Sequence, residues 1–219
     1  MCRLAVFGGS GVIGRAALEV ANADPAITAI HALQRRPIEP PLARVRYRQV
    51  GDFGDLGEHR DILTKIDAII FALGVSQNAV SPAEYRRVTV DYALEAARCL
   101  AEANPNAAFV FVSSRGADPS GRSRFRFSRT KGEAERRLSE IALGRLVVAR
   151  PAFVIPSAWP RAPSLADRTF MPIARLLGPL LPGWAMSSEE MGRALVNAAQ
   201  TDTTNGVLDS ENLRVLGTT

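Results

Sequence analysis

Short runs of consecutive apolar residues alternate along the chain with longer stretches in which apolar residues recur every three or four positions. Residues 4–7, Leu-Ala-Val-Phe, read as a first strand. Residues 12–23 follow as a helix, with Ile13, Ala16, Ala17 and Val20 at helical spacing. Strands are predicted at 27–33 and, shorter, at 45–50. The near-continuous apolar run 67–73 has the pattern of a strand covered on both faces. Ser81 suits an N-cap and Pro82 the first helical position, and together they open a long helix predicted to reach residue 103, where Asn104-Pro105-Asn106 stops it. A strand at 108–112, a helix at 130–143 and a strand at 146–149 continue the alternation. This repetition argues for an α/β fold, a doubly wound parallel sheet with helices on both faces.

The tail has another pattern. Pro156, Pro160, Pro163, Pro172, Pro179 and Pro182 make 156–183 too proline-rich for a regular layer. Residues 155–205 are therefore expected to form a small proline-rich C-terminal cap on the substrate side, within a single domain spanning 1–219. The apolar stretch 171–185 suits a packed cap, a pocket wall or an interface, and permits a homodimer. Ser187-Ser188-Glu189-Glu190 predicts a helix start with acidic residues in its first turn, the helix running to about residue 200, and 206–208 reads as a short edge strand.

Composition narrows the function classes. With 219 residues, 47% of them hydrophobic, one large domain with a substantial core is expected. No window approaches the roughly 18 unbroken apolar residues of a spanning helix, so no membrane partner is expected. The net charge of +5 rests on 25 Arg and only 2 Lys, Lys65 and Lys131. The arginines are dispersed, as on a solvated surface, and no nucleic-acid partner is predicted. One denser group, Arg115, Arg122, Arg124, Arg126 and Arg129, suits a solvated loop or a site for an acidic substrate group. Cys2 and Cys99 are too few for a disulfide framework or a four-cysteine zinc site, and a reducing cytoplasm is the expected compartment. Neither His31 nor His59 has ligand spacing to a partner, so no metal is predicted, and His31 is expected to be a hydrogen-bonded histidine inside its strand.

The chemistry begins directly after the first strand, at Gly8-Gly9-Ser10-Gly11-Val12-Ile13-Gly14. A G-x-x-G-x-x-G spacing between a strand and a helix suits a pyrophosphate: glycines allow a tight turn and close backbone approach, and the helix N-terminus adds partial positive charge. An NAD site usually carries an acidic residue about 20 residues further on, bonding the ribose 2′-hydroxyl. Here the second strand ends Gln34-Arg35-Arg36-Pro37, with two guanidiniums and no carboxylate, which predicts NADP(H) in preference to NAD(H). Asp52-Phe53 after the third strand is a candidate adenine edge. The small residues of Ala72-Leu73-Gly74 after the fourth strand would admit the cofactor backbone.

These features resemble the short-chain dehydrogenase/reductase superfamily, most nearly its atypical branch, which includes the HIV Tat-interactive protein oxidoreductases and bacterial nucleoside-diphosphate-sugar epimerase-like proteins. The matching segments are the glycine loop, Gln34-Arg35-Arg36, residues 111–118 (Phe-Val-Ser-Ser-Arg-Gly-Ala-Asp), residues 131–135 (Lys-Gly-Glu-Ala-Glu) and Arg150-Pro151. The resemblance implies a Rossmann-like fold with a bound nicotinamide dinucleotide and a Tyr-x-x-x-Lys catalytic signature helped by a strand-end serine. Lys131 falls at the Lys position, implying contact with the nicotinamide ribose, and either Ser113 or Ser114 at the serine. Arg150 is implied to face the nicotinamide edge. The Tyr position holds Phe127, which has no ionisable proton, and Ser128, Tyr85 or Tyr92 are alternative hydroxyl sources.

Three functional readings follow. The first is an NADP(H)-dependent oxidoreductase on a small organic substrate, with the usual acid replaced. The second is a non-redox enzyme (isomerase, lyase or cyclase) that keeps the dinucleotide, and the third is a non-catalytic NADPH-sensing regulator.

Overall fold

The computed structural model describes residues 1–157, 185–201 and 205–218. Seven parallel strands form one sheet in the order β3-β2-β1-β4-β5-β6-β9. They are β1 (Cys2–Phe7), β2 (Ile27–Gln34), β3 (Val45–Gln49), β4 (Ala68–Phe71), β5 (Ala108–Val112), β6 (Arg145–Ala149) and β9 (Gly206–Leu208). The intervening β7 (Phe153–Ile155) and β8 (Ala185–Ser187) pair as a separate two-stranded parallel sheet. The helices are α1 (Val12–Ala23), α2 (Arg60–Leu63), α3 (Pro82–Arg86), α4 (Tyr92–Ala103), α5 (Arg126–Ser139), α6 (Ser188–Gln200) and α7 (Ser210–Thr218). This is the Rossmann-like α/β arrangement that the alternation implied.

Side-chain alternation along β1 shows how the sheet is covered. Leu4 and Val6 point into one apolar layer, with Leu18 of α1 and Met191 and Leu195 of α6. Ala5 and Phe7 point into the other, with Leu94 and Leu100 of α4 and Leu138 of α5. In that second layer the stacked rings of Phe7, Phe71 and Phe109 step across β1, β4 and β5 at centroid distances of 5.6 and 5.9 Å. Both faces are covered, so the central strands are apolar throughout.

Several elements differ from the sequence expectation. The helix expected at 130–143 begins at Arg126 and ends at Ser139, because Ser123 accepts from the Phe125 N–H and turns the chain into the helix earlier. The helix expected over 82–103 starts as predicted, with the Ser81 side chain accepting from Glu84 N, but is broken into α3 and α4 by a π-helical turn at Arg87–Asp91. Ser187 and Glu190 form a complete capping box for α6. Helix α7 was not foreseen; Asp209 starts it by accepting from the Glu211 and Asn212 N–H groups. The expected proline-rich cap falls largely on 158–184, outside the described residues.

Candidate functional site

Sheet order reverses between β1 and β4, which opens a crevice at their C-terminal ends. The glycine loop lies there. Gly8 has φ +85°, a left-handed conformation natural to glycine, and a Cβ on it would sit 2.7 Å from the Ala72 carbonyl oxygen and the Leu73 backbone. A Cβ on Gly14 would collide with the Gly8 carbonyl. The loop is thus wedged between β4 and α1, with Gly11 N donating to Gly8 O at 3.0 Å. Helix α1 has no side-chain cap at Gly11 and no acidic residue in its first turn, so its N-terminal N–H groups point at the crevice without a competing carboxylate.

A cavity of about 550 Å³ occupies this crevice. It gathers Gly8, Gly9, Ser10, Gly11, Arg35, Arg36, Phe53, Ala72, Leu73 and Gly74 from the sequence-derived set. Phe53 is buried and packs against Phe7 and Tyr92. Val12 faces a neighbouring groove shared with α6, Ile13 packs on the core and Gly14 is buried. Asp52 is turned away into an ion pair with Arg87, and the Gly54 N–H, then Arg87, hold its carboxyl below the usual range.

Among the cavity residues that the sequence did not single out as site residues are Arg15 and Gln34. Arg15, the residue after Gly14, reaches the cavity from α1 while its Nε is held by Glu19 at 2.7 Å and one terminal nitrogen by the Pro40 carbonyl at 2.8 Å. Gln34 borders it and is 2% exposed, yet neither its Nε2 nor its Oε1 has a hydrogen-bond partner among the described residues. A buried amide without partners is costly unless something in the cavity meets it. The glycine cradle, the uncapped helix N-terminus, the arginines and this amide together fit a dinucleotide.

A second cluster forms where α5 crosses the end of β5. Phe127, Lys131 and Glu135 follow one another at four-residue steps and share a helix face. Lys131 Nζ donates to the Val112 carbonyl at 2.8 Å and lies 4.9 Å from the centre of the Phe111 ring. Burial pushes its amine down to about 8, with the Glu135 carboxylate pulling the other way. Glu135 is buried and accepts from Ser113 Oγ and from Arg150, whose Nε approaches to 3.0 Å and whose second nitrogen completes a bidentate pair. Ser113 therefore spends its single proton on Glu135. Ser114 Oγ is buried beside it with no partner among the described residues. Glu135 belonged to a recognised run, but its role depends on β5 and β6 meeting α5.

The run between these serines and α5 is a folded loop. Asp118 accepts from Ser120 Oγ at 2.6 Å and Ser123 N at 2.6 Å, and α5 presses so closely on Asp118 that Gly132 has no room for a Cβ. Of the loop arginines, Arg126 binds the Gln77 carbonyl at 3.0 Å and Arg129 the Ser123 carbonyl at 2.6 Å; Arg115, Arg122 and Arg124 are exposed. The alternative hydroxyls are engaged or buried: Tyr85 with Thr89, Tyr92 with Asp52, and Ser128 3% exposed.

Comparison with known proteins agrees with this geometry. The model of the NAD dependent epimerase/dehydratase family matches residues 4–135. Protein fmp52, mitochondrial, of Emericella nidulans is 30% identical over 206 residues, covering 90% of this chain and 87% of that protein. Protein HTATIP2 of Rattus norvegicus is 30% identical over 152 residues, covering 68% of this chain and 62% of that protein. The Bordetella bronchiseptica enzyme WbmG, solved in complex with NAD, superposes with a TM-score of 0.68 at 15% identity, covering 98% of this chain and 77% of its own. MoeE5, solved with UDP-glucose and NAD, gives 0.66 at 20%, covering 94% and 75%; both share the fold. Several fmp52 relatives carry a mitochondrial designation, which overturns the cytoplasmic expectation: two buried free cysteines are consistent with any reducing compartment and do not select one. The glycine cradle, the family match across residues 4–135 and the kinship with fmp52 and HTATIP2 lead to one conclusion: this chain belongs to the NAD dependent epimerase/dehydratase family, as an atypical short-chain dehydrogenase/reductase-like protein with a Rossmann-like fold.

Proposed function

We propose that the chain binds NADP(H) and uses it as an oxidoreductase on a small carbonyl-bearing organic substrate. The observation that carries this reading is the charge of the cavity. Arg15, Arg35 and Arg36 border it, Glu39 is the single carboxylate among its described lining residues, and β2 ends in the neutral Gln34. Guanidinium forks suit a 2′-phosphate, whereas a carboxylate at the end of β2 would repel it.

In this reading the glycine loop and the N-terminus of α1 hold the pyrophosphate, and Phe53 flanks the adenine. The nicotinamide, when bound, supplies or accepts the hydride. Ser114, whose hydroxyl has no partner among the described residues, holds the substrate oxygen, while Ser113, Glu135 and Arg150 brace the floor beneath it. Phe127 contributes an apolar wall and no proton.

Calorimetric titration with NADPH and NADH in parallel tests the cofactor. NADPH should bind at least about tenfold more tightly, a difference of roughly 1.4 kcal/mol, and Arg35→Ala/Arg36→Ala should erase the preference. Equal affinity for the two, or binding of neither, overturns the reading. A panel of aldehydes and quinones followed by NADPH absorbance tests the chemistry. Tight NADPH binding with no turnover on any member would favour the regulatory reading instead.

A further inference from the structure

We propose that the loop joining β5 to α5 is a docking surface for an anionic phospholipid bilayer, its arginines meeting the headgroup phosphates and Phe125 entering the boundary between headgroups and acyl chains. Between residues 114 and 130 the chain carries five arginines, Arg115, Arg122, Arg124, Arg126 and Arg129, against one acidic residue, Asp118. The net charge of the whole chain is +5, so this short segment holds most of the excess. Elsewhere arginines commonly face carboxylates, as Arg3 faces Asp67, Arg60 faces Glu102 and Arg136 faces Glu140. In this loop none does so among the described residues. Arg126 and Arg129 are held by the neutral carbonyls of Gln77 and Ser123, which leaves their charge uncompensated, and Arg115, Arg122 and Arg124 are exposed.

Phe125 ends this run and is 60% exposed, the single aromatic among the exposed large apolar side chains of the described residues. Its ring leans on Phe127, the centroids 6.2 Å apart. The backbone beneath it is already held. Asp118 accepts from Ser120 Oγ and Ser123 N, Ser123 Oγ accepts from the Phe125 N–H at 3.2 Å, and Gly121 makes the turn at φ +72° with open space around it. A loop fixed in this way loses little freedom on docking. Its other exposed residues are arginines, glycines, Pro119 and Ser120, so the apolar surface is too narrow for the core of a stable protein interface. One exposed ring also offers no platform for stacking successive bases of a nucleic acid. Cations grouped around one protruding ring match phosphate headgroups over a shallow apolar layer. No helix among the described residues is long and apolar enough to cross a membrane, which bears on spanning a bilayer and not on lying against one.

Flotation of the full chain with vesicles of phosphatidylcholine alone, or of phosphatidylcholine mixed with phosphatidylglycerol, tests this surface. The chain should float with the mixed vesicles and not with the neutral ones, and its binding should fall as added salt screens the arginines. Arg122→Glu/Arg124→Glu should lower the partition coefficient at least about tenfold, and Phe125→Ser about fivefold. Circular dichroism melts confirm that these surface variants are folded. Arg46→Glu/Arg48→Glu makes the same charge change on the exposed edge of β3 and should cost much less. An equal loss there would mean that net charge and not the loop governs binding, and would overturn the proposal. Equal binding to both vesicles, or to neither, overturns it as well. Retention on RNA without binding to anionic vesicles would assign the loop to a nucleic acid and reject the bilayer.

Discussion

Single atoms set the tolerances of this molecule. A methyl group on Gly14 has nowhere to go except into the Gly8 carbonyl. Gly14→Ala should therefore lower the melting temperature and abolish dinucleotide binding together, as read by circular dichroism and calorimetry; retained binding would show that the loop can move off β4. His31 is another such position. It is 8% exposed on β2, and its Nδ1 has no partner among the described residues, contrary to the hydrogen-bonded histidine expected there. Burial first, then Arg48 and Arg46 of the adjacent β3, lower its pKa. The unfolded chain therefore takes up this proton more readily than the folded one. Stability should be full above about pH 6.5 and decline as pH falls from there through the folded value. Urea midpoints measured from pH 7.5 to 5.5 should show this slope, and His31→Leu should flatten it.

At the level of elements, α5 is joined to the sheet by a buried polar cluster as well as by the apolar contacts of Ala134 and Leu138. Glu135 is 5% exposed and bridges Ser113 at the end of β5 to Arg150 at the end of β6. Removing one partner of a buried pair leaves the other uncompensated, at a cost of 3–5 kcal/mol when both are fully desolvated. Arg150 retains 23% exposure, so Glu135→Gln should cost about 3 kcal/mol in urea unfolding, the low end of that range. A cost below about 1 kcal/mol would mean that water replaces the carboxylate readily. Helix α6 depends on local chemistry instead: its capping box predicts that Ser187→Ala costs about 1 kcal/mol by the same measurement.

For the whole molecule, the crevice at the strand-order reversal couples nucleotide binding to folding. The cavity draws residues from the end of β2, from α1 and α4 and from the loops that follow β1, β2, β3 and β4, so it exists only in the assembled sheet. A ligand that binds only the folded state should stabilise it by about 2.7 kcal/mol at one hundred times its Kd. For a chain of this length that is a rise of roughly 5–11 °C in melting temperature. NADPH should produce it at lower concentration than NADH, and the absence of any shift with either would argue against the proposed cofactor.

Much of this was legible in the linear order. Apolar runs and helical spacings located all seven strands of the main sheet to within about two residues, the short β9 included, because buried parallel strands need continuous apolar character. The glycine spacing and the paired arginines pointed to the crevice because their chemistry is local: a turn, a helix end and a charge at the end of a strand. What stayed hidden depends on distant segments meeting. Arg15 and Gln34 matter because α1 and β2 converge on one cavity, and Glu135 because α5 lies across two strand ends. Ser113 and Ser114 look equivalent in sequence. They are distinguished by which hydroxyl faces a carboxylate 22 residues away, and that contact exists only once helix and sheet have packed.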